Sequence, residues 1–211
     1  MTTYAVKEAF LTLQGEGVQA GSRAVFLRFT GCNLWSGREQ DRATAQCNFC
    51  DTDFVGTDGP GGGKFADADK LAAHVEKLWG AGEERRLVVI TGGEPMLQLD
   101  VSLIDALHAR GFRVAVESNG TIAATPGIDW LCISPKAGTD VVQRSGDELK
   151  LVWPQPDIDP TDLEGWDFRN FLVQPMDCAD GKAAMDASIA LSMERPQWRL
   201  SLQAHKVVGL K

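Results

Sequence analysis

Leu87-Val88-Val89-Ile90-Thr91-Gly92-Gly93-Glu94-Pro95 is the stretch on which the fold turns. Its first five residues are apolar or β-branched without a break, the pattern of a strand buried on both faces. The two glycines that follow free the backbone for close approach by a ligand. Glu94 adds an acceptor, and Pro95 stops the strand from continuing. Taken alone, this is no more than a strand-to-helix turn.

The same short runs recur along the chain. Residues 23–30, 113–117, 130–134, 149–153, 171–174 and 198–202 read as further strands. Between some of them lie segments of helical period: 67–79 with Leu71, Val75 and Leu78 on one face, 101–110 with Leu103, Ile104 and Leu107, and 181–193. Strand–helix alternation predicts an α/β fold with a mainly parallel sheet. Six or seven strands with only three convincing helices predict an abbreviated partial barrel, because eight full units usually need about 250 residues. With no repeat or linker in view, residues 1–211 are expected to form a single domain.

Composition narrows the function. The chain has 211 residues, 44% hydrophobic and 24% charged, with net charge −8. An acidic chain of ordinary globular composition is not built to bind nucleic acid through its overall field. The first residues lack the apolar stretch of a signal peptide, and no apolar run approaches bilayer length. The expectation is a cytoplasmic protein without a membrane segment. Five cysteines in such a chain favour metal binding or burial over disulfides.

Three of these, Cys32, Cys47 and Cys50, are spaced C-x14-C-x2-C on a long polar segment directly after the strand at 23–30. Active sites gather at the C-terminal ends of parallel strands. Three thiolates can hold a four-iron cluster and leave one iron open; zinc would want a fourth ligand. By spacing alone the triplet fits a cluster, a zinc site or free thiols. Cys132, within a strand, and Cys178 read as packing residues, and His74 and His108 as exposed helix residues. The run 59–64, rich in glycine and ending in Lys64, imitates a phosphate loop, but Asp58 and Phe65 stand where glycine and Ser or Thr are required. It reads as flexible linker.

Cysteine loop and Gly-Gly-Glu-Pro turn together resemble the radical S-adenosylmethionine (SAM) superfamily. That superfamily usually spaces its cysteines C-x3-C-x2-C, so the gap of 14 is a departure. The whole chain resembles one family within it, the 7-carboxy-7-deazaguanine synthases, some of which have extended cluster loops. The resemblance is carried by Leu13-Gln14-Gly15-Glu16-Gly17, Arg28-Phe29-Thr30-Gly31-Cys32-Asn33-Leu34, Cys47-Asn48-Phe49-Cys50-Asp51-Thr52, Thr91 to Pro95, Glu117-Ser118-Asn119-Gly120, Ser134-Pro135-Lys136 and Gln203-Ala204-His205-Lys206.

The resemblance implies a carbon–nitrogen lyase. It would contract 6-carboxy-5,6,7,8-tetrahydropterin to 7-carboxy-7-deazaguanine with loss of ammonia, by radical chemistry that needs no side-chain acid or base. It implies a 4Fe–4S cluster on the three cysteines, SAM and Mg2+ as cofactors, an electron donor such as flavodoxin or ferredoxin, and a homodimer. Gly92, Gly93 and Glu94 are expected at the methionine end of SAM. Ser118, Ser134, Pro135, Lys136, Gln174, Pro175, Met176 and Asp177 are expected around its adenosine. Thr52 is expected at magnesium. Leu13, Gln14, Gly15, Glu16, Arg28, Thr91, His205 and the terminal Lys211 are expected on the substrate. Arg28 stands out, since its fork in an apolar strand suits a carboxylate; a structural salt bridge is the competing reading. Two rivals remain at this point. A glycyl-radical activase would share the cysteines and the turn without needing Arg28, Gln14 and Glu16. A zinc-stabilised binding module would be colourless.

Overall fold

A computed structural model describes residues 3–210. Nine strands form one open sheet: β1 (Tyr4–Leu13), β2 (Arg23–Phe29), β3 (Gly63–Phe65), β4 (Leu87–Gly92), β5 (Arg113–Ser118), β6 (Trp130–Ile133), β7 (Ser145–Trp153), β8 (Asp167–Pro175) and β9 (Trp198–Leu200), in the order β3-β1-β2-β4-β5-β6-β7-β8-β9. From β2 to β9 every neighbouring pair is parallel; β1 runs antiparallel to both β2 and β3. The predicted α/β fold, a partial barrel with few helices, is what forms. The helices are α1 (Ala68–Trp79), α2 (Val101–His108), α3 (Pro160–Leu163), α4 (Gly181–Glu194) and α5 (Ala204–Val208). Asp67, Asp100 and Asp180 cap α1, α2 and α4 by accepting from a backbone N–H in the first turn. No helix among the described residues is long and apolar enough to cross a membrane.

Period-two alternation sorts the strand residues between two environments. Val25, Leu27, Val88, Ile90, Val114, Val116, Leu149 and Leu151 face the helices and join one large core with Leu71, Val75, Leu103 and Leu107. Ala24, Leu87, Val89 and Ala115 face the other way, into a small apolar cluster inside the curve of the sheet. Toward the C-terminal ends that inner face turns polar, at Arg28, Thr91, Glu117, Lys150 and Gln174. The sheet thus has an apolar base and a polar mouth.

Two strands lie outside the seven expected. Residues 4–13 carry Lys7, Glu8 and Thr12 among the apolar positions, which dilutes the buried-strand pattern, yet β1 pairs along its whole length with β2. The glycine run is an ordered edge rather than a flexible linker. Gly63–Phe65 pairs with β1, and the glycines before it press on that strand. A Cβ on Gly61 would stand 2.2 Å from the Ala9 carbonyl oxygen, and one on Gly62 would stand 2.2 Å from that of Lys7. His74 is half-buried, with Nε2 2.9 Å from the Gly61 carbonyl and its ring against Phe65. His108 is exposed and pairs with Asp129. Cys132 is buried as expected, whereas Cys178 is exposed.

Candidate active site

One cavity of about 720 Å³ opens at the C-terminal ends of the parallel strands, the size of a small-molecule site. Cys32, Cys47 and Cys50 all line it. Cys32 follows β2 directly, and the C-x14-C insertion returns the chain through a short 3-10 turn, Glu39–Thr44, to Cys47 and Cys50. Arg42 organises this excursion. Its guanidinium lies 4.1 Å from the centroid of the Trp35 ring, pairs with Glu39, and donates from Nη1 to the carbonyls of Asn48 and Cys50, both at 3.0 Å.

The thiols fit a cluster. A hydrogen bond with Cys47 pulls Cys50 down to about 6, toward the thiolate that ligates metal, and the same bond pushes Cys47 up. Burial pushes Cys32 up. Among the described residues no three His, Cys, Asp or Glu side chains gather tightly enough for a single metal ion. Three thiols spread round one cavity wall suit a bulkier four-iron body better than a lone ion.

The glycine turn is jammed against the cysteine loop. A Cβ on Gly93 would stand 2.3 Å from the Gly31 carbonyl oxygen and 2.5 Å from Cys32 Cβ. Glu94 N–H donates to that carbonyl at 2.9 Å. Any side chain here would part the two loops, so Gly92 and Gly93 line the cavity through their backbone. The Glu94 side chain does not face the cavity. Fully buried, it accepts from Met96 N–H at 2.9 Å, Ser118 Oγ at 2.9 Å and Asn119 N–H at 2.8 Å. This departs from the expectation of a free acceptor: the carboxylate braces the end of β5 instead. Ser118 lines the cavity with its hydroxyl committed to Glu94.

Most other expected residues meet in the same place. Leu13, Gln14, Gly15, Glu16, Arg28, Thr52, Thr91, Ser134, Lys136, Gln174, Pro175, Met176, Asp177 and His205 line the cavity. Pro135 does not; it is buried, and its carbonyl accepts from Gln155. Lys211 lies outside the described residues. Lys136 is half-buried, its ammonium tied to Ser134 O and Oγ at 2.8 and 2.7 Å, and burial lowers its pKa. Arg28, beside Thr91 in register, donates from Nε to Glu8.

A buried polar network across the floor contains residues that motif reading did not single out. Lys150 bridges Glu16 and Glu117. Gln14 Nε2 donates to Glu117 at 2.9 Å, and Gln203 Nε2 to Glu16 at 2.8 Å. The available signal was the alternation in β7: Glu148 and Lys150 interleave with Leu149 and Leu151, where a strand buried on two apolar faces carries no charge.

Sheet, cysteine triplet and glycine turn together define a radical SAM enzyme, and a family model described as the radical SAM superfamily matches residues 40–147. The chain is 63% identical over 208 residues to the 7-carboxy-7-deazaguanine synthase of Caulobacter vibrioides, covering 99% of each chain, and 58% identical to that of Burkholderia multivorans, again covering 99% of each. The crystal structure of QueE from Escherichia coli superposes with a TM-score of 0.71 at 29% identity, covering 96% of this chain and 95% of that one. The chain belongs to the 7-carboxy-7-deazaguanine synthase family. The comparisons lend no support to the activase alternative.

Proposed function

We propose that the protein converts 6-carboxy-5,6,7,8-tetrahydropterin to 7-carboxy-7-deazaguanine, with loss of ammonia, in queuosine-type 7-deazapurine biosynthesis. The observation that carries this reading is the convergence of the three cysteines, the glycine turn and the Arg28, Gln14 and Glu16 side chains on one cavity. When bound, the cluster and SAM supply the radical chemistry of hydrogen abstraction at C6.

The chain's own part is to position and enclose. Arg28 holds the substrate carboxylate. Gln14, Glu16 and the floor network take the amino-pyrimidinone edge, while His205, seated on Gly15, closes the mouth. Backbone groups of Gly92 and Gly93 hold the methionine ammonium, the role first expected of the Glu94 side chain. Lys136, Ser134 and the segment from Gln174 to Asp177 line the adenosine. Thr52 offers one hydroxyl to magnesium, which keeps waters and needs few protein ligands.

The protein works in the cytoplasm as a homodimer, with flavodoxin or ferredoxin as reductant. Anaerobic turnover with reductant, SAM and the carboxy-tetrahydropterin, read by mass spectrometry, tests the activity; absence of the deazaguanine product from cluster-loaded protein overturns it. Magnesium should stimulate turnover and Thr52→Ala should blunt that response with the cluster intact. Equal rates with and without a chelator would remove the metal from the scheme.

A further inference from the structure

Lys150 is the cation of the floor network whose own part the proposed function does not specify. It sits in the middle of β7, its side chain 4% exposed, with Nζ 2.9 Å from Glu117 Oε2 and 2.5 Å from Glu16 Oε2. Glu16 comes from the β1–β2 loop and Glu117 from β5, so one ammonium ties together two carboxylates from distant parts of the chain. Neither carboxylate is exhausted by it. Glu117 accepts one further amide, from Gln14, and Glu16 accepts from both Gln203 and Gln174; an ionised carboxylate has about four acceptor positions. Both line the cavity.

We infer that Lys150 is a positioning residue whose ammonium holds the Glu16 and Glu117 side chains together, giving the β5–β7 side of the cavity two carboxylate acceptors and one excess negative charge. Without that ammonium, two carboxylates brought this close would repel one another or share a proton, because no counter-charge would stand between them. A shared proton would turn one acceptor into a donor. The ligand edge that fits the wild-type arrangement is a row of N–H donors, such as an amino-pyrimidinone presents. Arg28 stands on β2, two strands from β5 and four from β7 in the sheet order. A ligand with an anion at one end and N–H donors at the other is therefore oriented by charge before any shape contact is made. This rests on the pterin reading above and specifies how its ring is recognised.

The neighbouring charges agree with that balance. Glu148, one inward position earlier on β7, accepts from Val18 N–H at 3.0 Å and faces Cys132 of β6 at 3.5 Å; burial raises its pKa. Lys150 itself is held well above the ordinary lysine range: burial opposes its charge, but Glu117 and Glu16 outweigh burial. Lys136, after β6, is the other ammonium whose field reaches Lys150, and His205 of α5 is the remaining titratable group seated on the Glu16 loop.

The test measures equilibrium affinity of cluster-loaded, SAM-bound enzyme for 6-carboxy-5,6,7,8-tetrahydropterin as a function of pH, beside iron content and SAM affinity. Lys150→Met should lose at least about tenfold in pterin affinity near neutral pH, recover part of it as pH rises and the shared proton leaves, and keep wild-type iron and SAM binding. Lys150→Arg should keep a flat pH profile. The double variant Lys150→Met with Glu117→Gln leaves no second carboxylate to share a proton. It should fold even where Lys150→Met alone does not, bind the pterin more weakly than wild type through the lost acceptor, and show no pH dependence. Unchanged pterin affinity in Lys150→Met overturns the inference, as does a loss that is independent of pH or a pH dependence that persists in the double variant. Failure of the wild type to bind the pterin at all would overturn the functional reading instead.

Discussion

Arg28 Nε donates to Glu8 Oε1 across 3.0 Å, and the two residues are register partners on β2 and β1, just after an irregularity in the pairing between Val6 and Glu8. An arginine fork in an apolar strand calls for an anion, and part of that anion is supplied by the protein. Glu8 fixes the plane of the guanidinium on its Nε side and leaves the group lining the cavity. The pairing thus aims the fork and does not replace its ligand.

Arg28→Ala should therefore lose pterin affinity by the cost of truncating a buried charge pair, about 2–5 kcal/mol or roughly 30- to several-thousand-fold. Arg28→Lys should recover part, since the charge stays and the fork is lost. Glu8→Gln should fall between Arg28→Lys and wild type, because the aim loosens while the guanidinium remains. Iron content and slow uncoupled SAM cleavage should survive in all three. Normal ring contraction by Arg28→Ala would make the Glu8 pair purely structural.

Much of this was legible because motif and strand coincide: a glycine turn at the end of a β-branched run can only open at the C-terminal edge of a parallel sheet. What escaped was polarity hidden inside strands. Lys150 and Glu148 alternate with core leucines, and a search for apolar runs starts β7 at Leu149 rather than Ser145, which trims Glu148 away and passes over Lys150 within the run. β1 escaped for the same reason, through Lys7 and Glu8. Glu94 was legible as important and misread in direction. The sequence places it beside the ligand, but the backbone at Gly93 aims the side chain back toward Ser118 and Asn119.

Replacing Cys32, Cys47 or Cys50 with Ala should abolish both iron binding and SAM cleavage, whereas Cys132→Ala and Cys178→Ala should retain both. Cys132 is buried against Glu148 and Cys178 is exposed. Iron analysis with visible absorption of anaerobically purified protein checks this. Four irons per chain in the triple variant would dismiss the cluster site.

Arg42 should matter to the cluster without touching substrate. Its two hydrogen bonds to the Asn48 and Cys50 carbonyls hold the segment that carries two of the three thiols. The side chain is 30% exposed, so the effect is moderated by solvent, and about 1 kcal/mol of loop order is expected to go with it. Arg42→Ala should lose iron several-fold faster to a chelator and expose the 39–48 segment to protease in the apo-protein. Arg42→Lys should rescue little, because one ammonium cannot serve both carbonyls and stack on Trp35 as the planar fork does. Wild-type iron retention in Arg42→Ala would show that the insertion holds itself.

The C-terminal helix α5 is latched to the cluster loop through Lys206, whose Nζ meets Asp51 at 2.8 Å and Asp177 at 2.5 Å. Asp51 follows Cys50 directly, so the latch links the residue beside one of the three cavity thiols to the helix that carries His205 over the cavity. Burial would raise the Asp51 pKa, but the Lys206 contact pulls it below the ordinary range. Burial likewise opposes the Lys206 charge, and the two carboxylates more than offset it, raising its pKa. The signs follow. A depressed Asp contributes stability that is complete above its unfolded value of about 3.9 and is lost as pH falls through the lower folded value. A raised Lys contributes stability that is complete below about 10.4 and is lost as pH rises through the higher folded value. Between those limits the latch is closed, and within them its strength should not vary with pH. Since Lys206 is 41% exposed, each pair contributes only about 0.2–1 kcal/mol. Lys206→Met should therefore speed amide exchange in 204–208 by roughly up to fivefold at neutral pH, and raise the pterin KM more than it lowers kcat, because the mouth opens while the chemistry is untouched. Acidification of the wild type below the ordinary Asp range should reproduce the exchange effect, and Lys206→Met should then show no further change. Identical exchange in variant and wild type at neutral pH would mean that α5 is held by its backbone bond from Ala204 to Gly15 and by His205 packing alone.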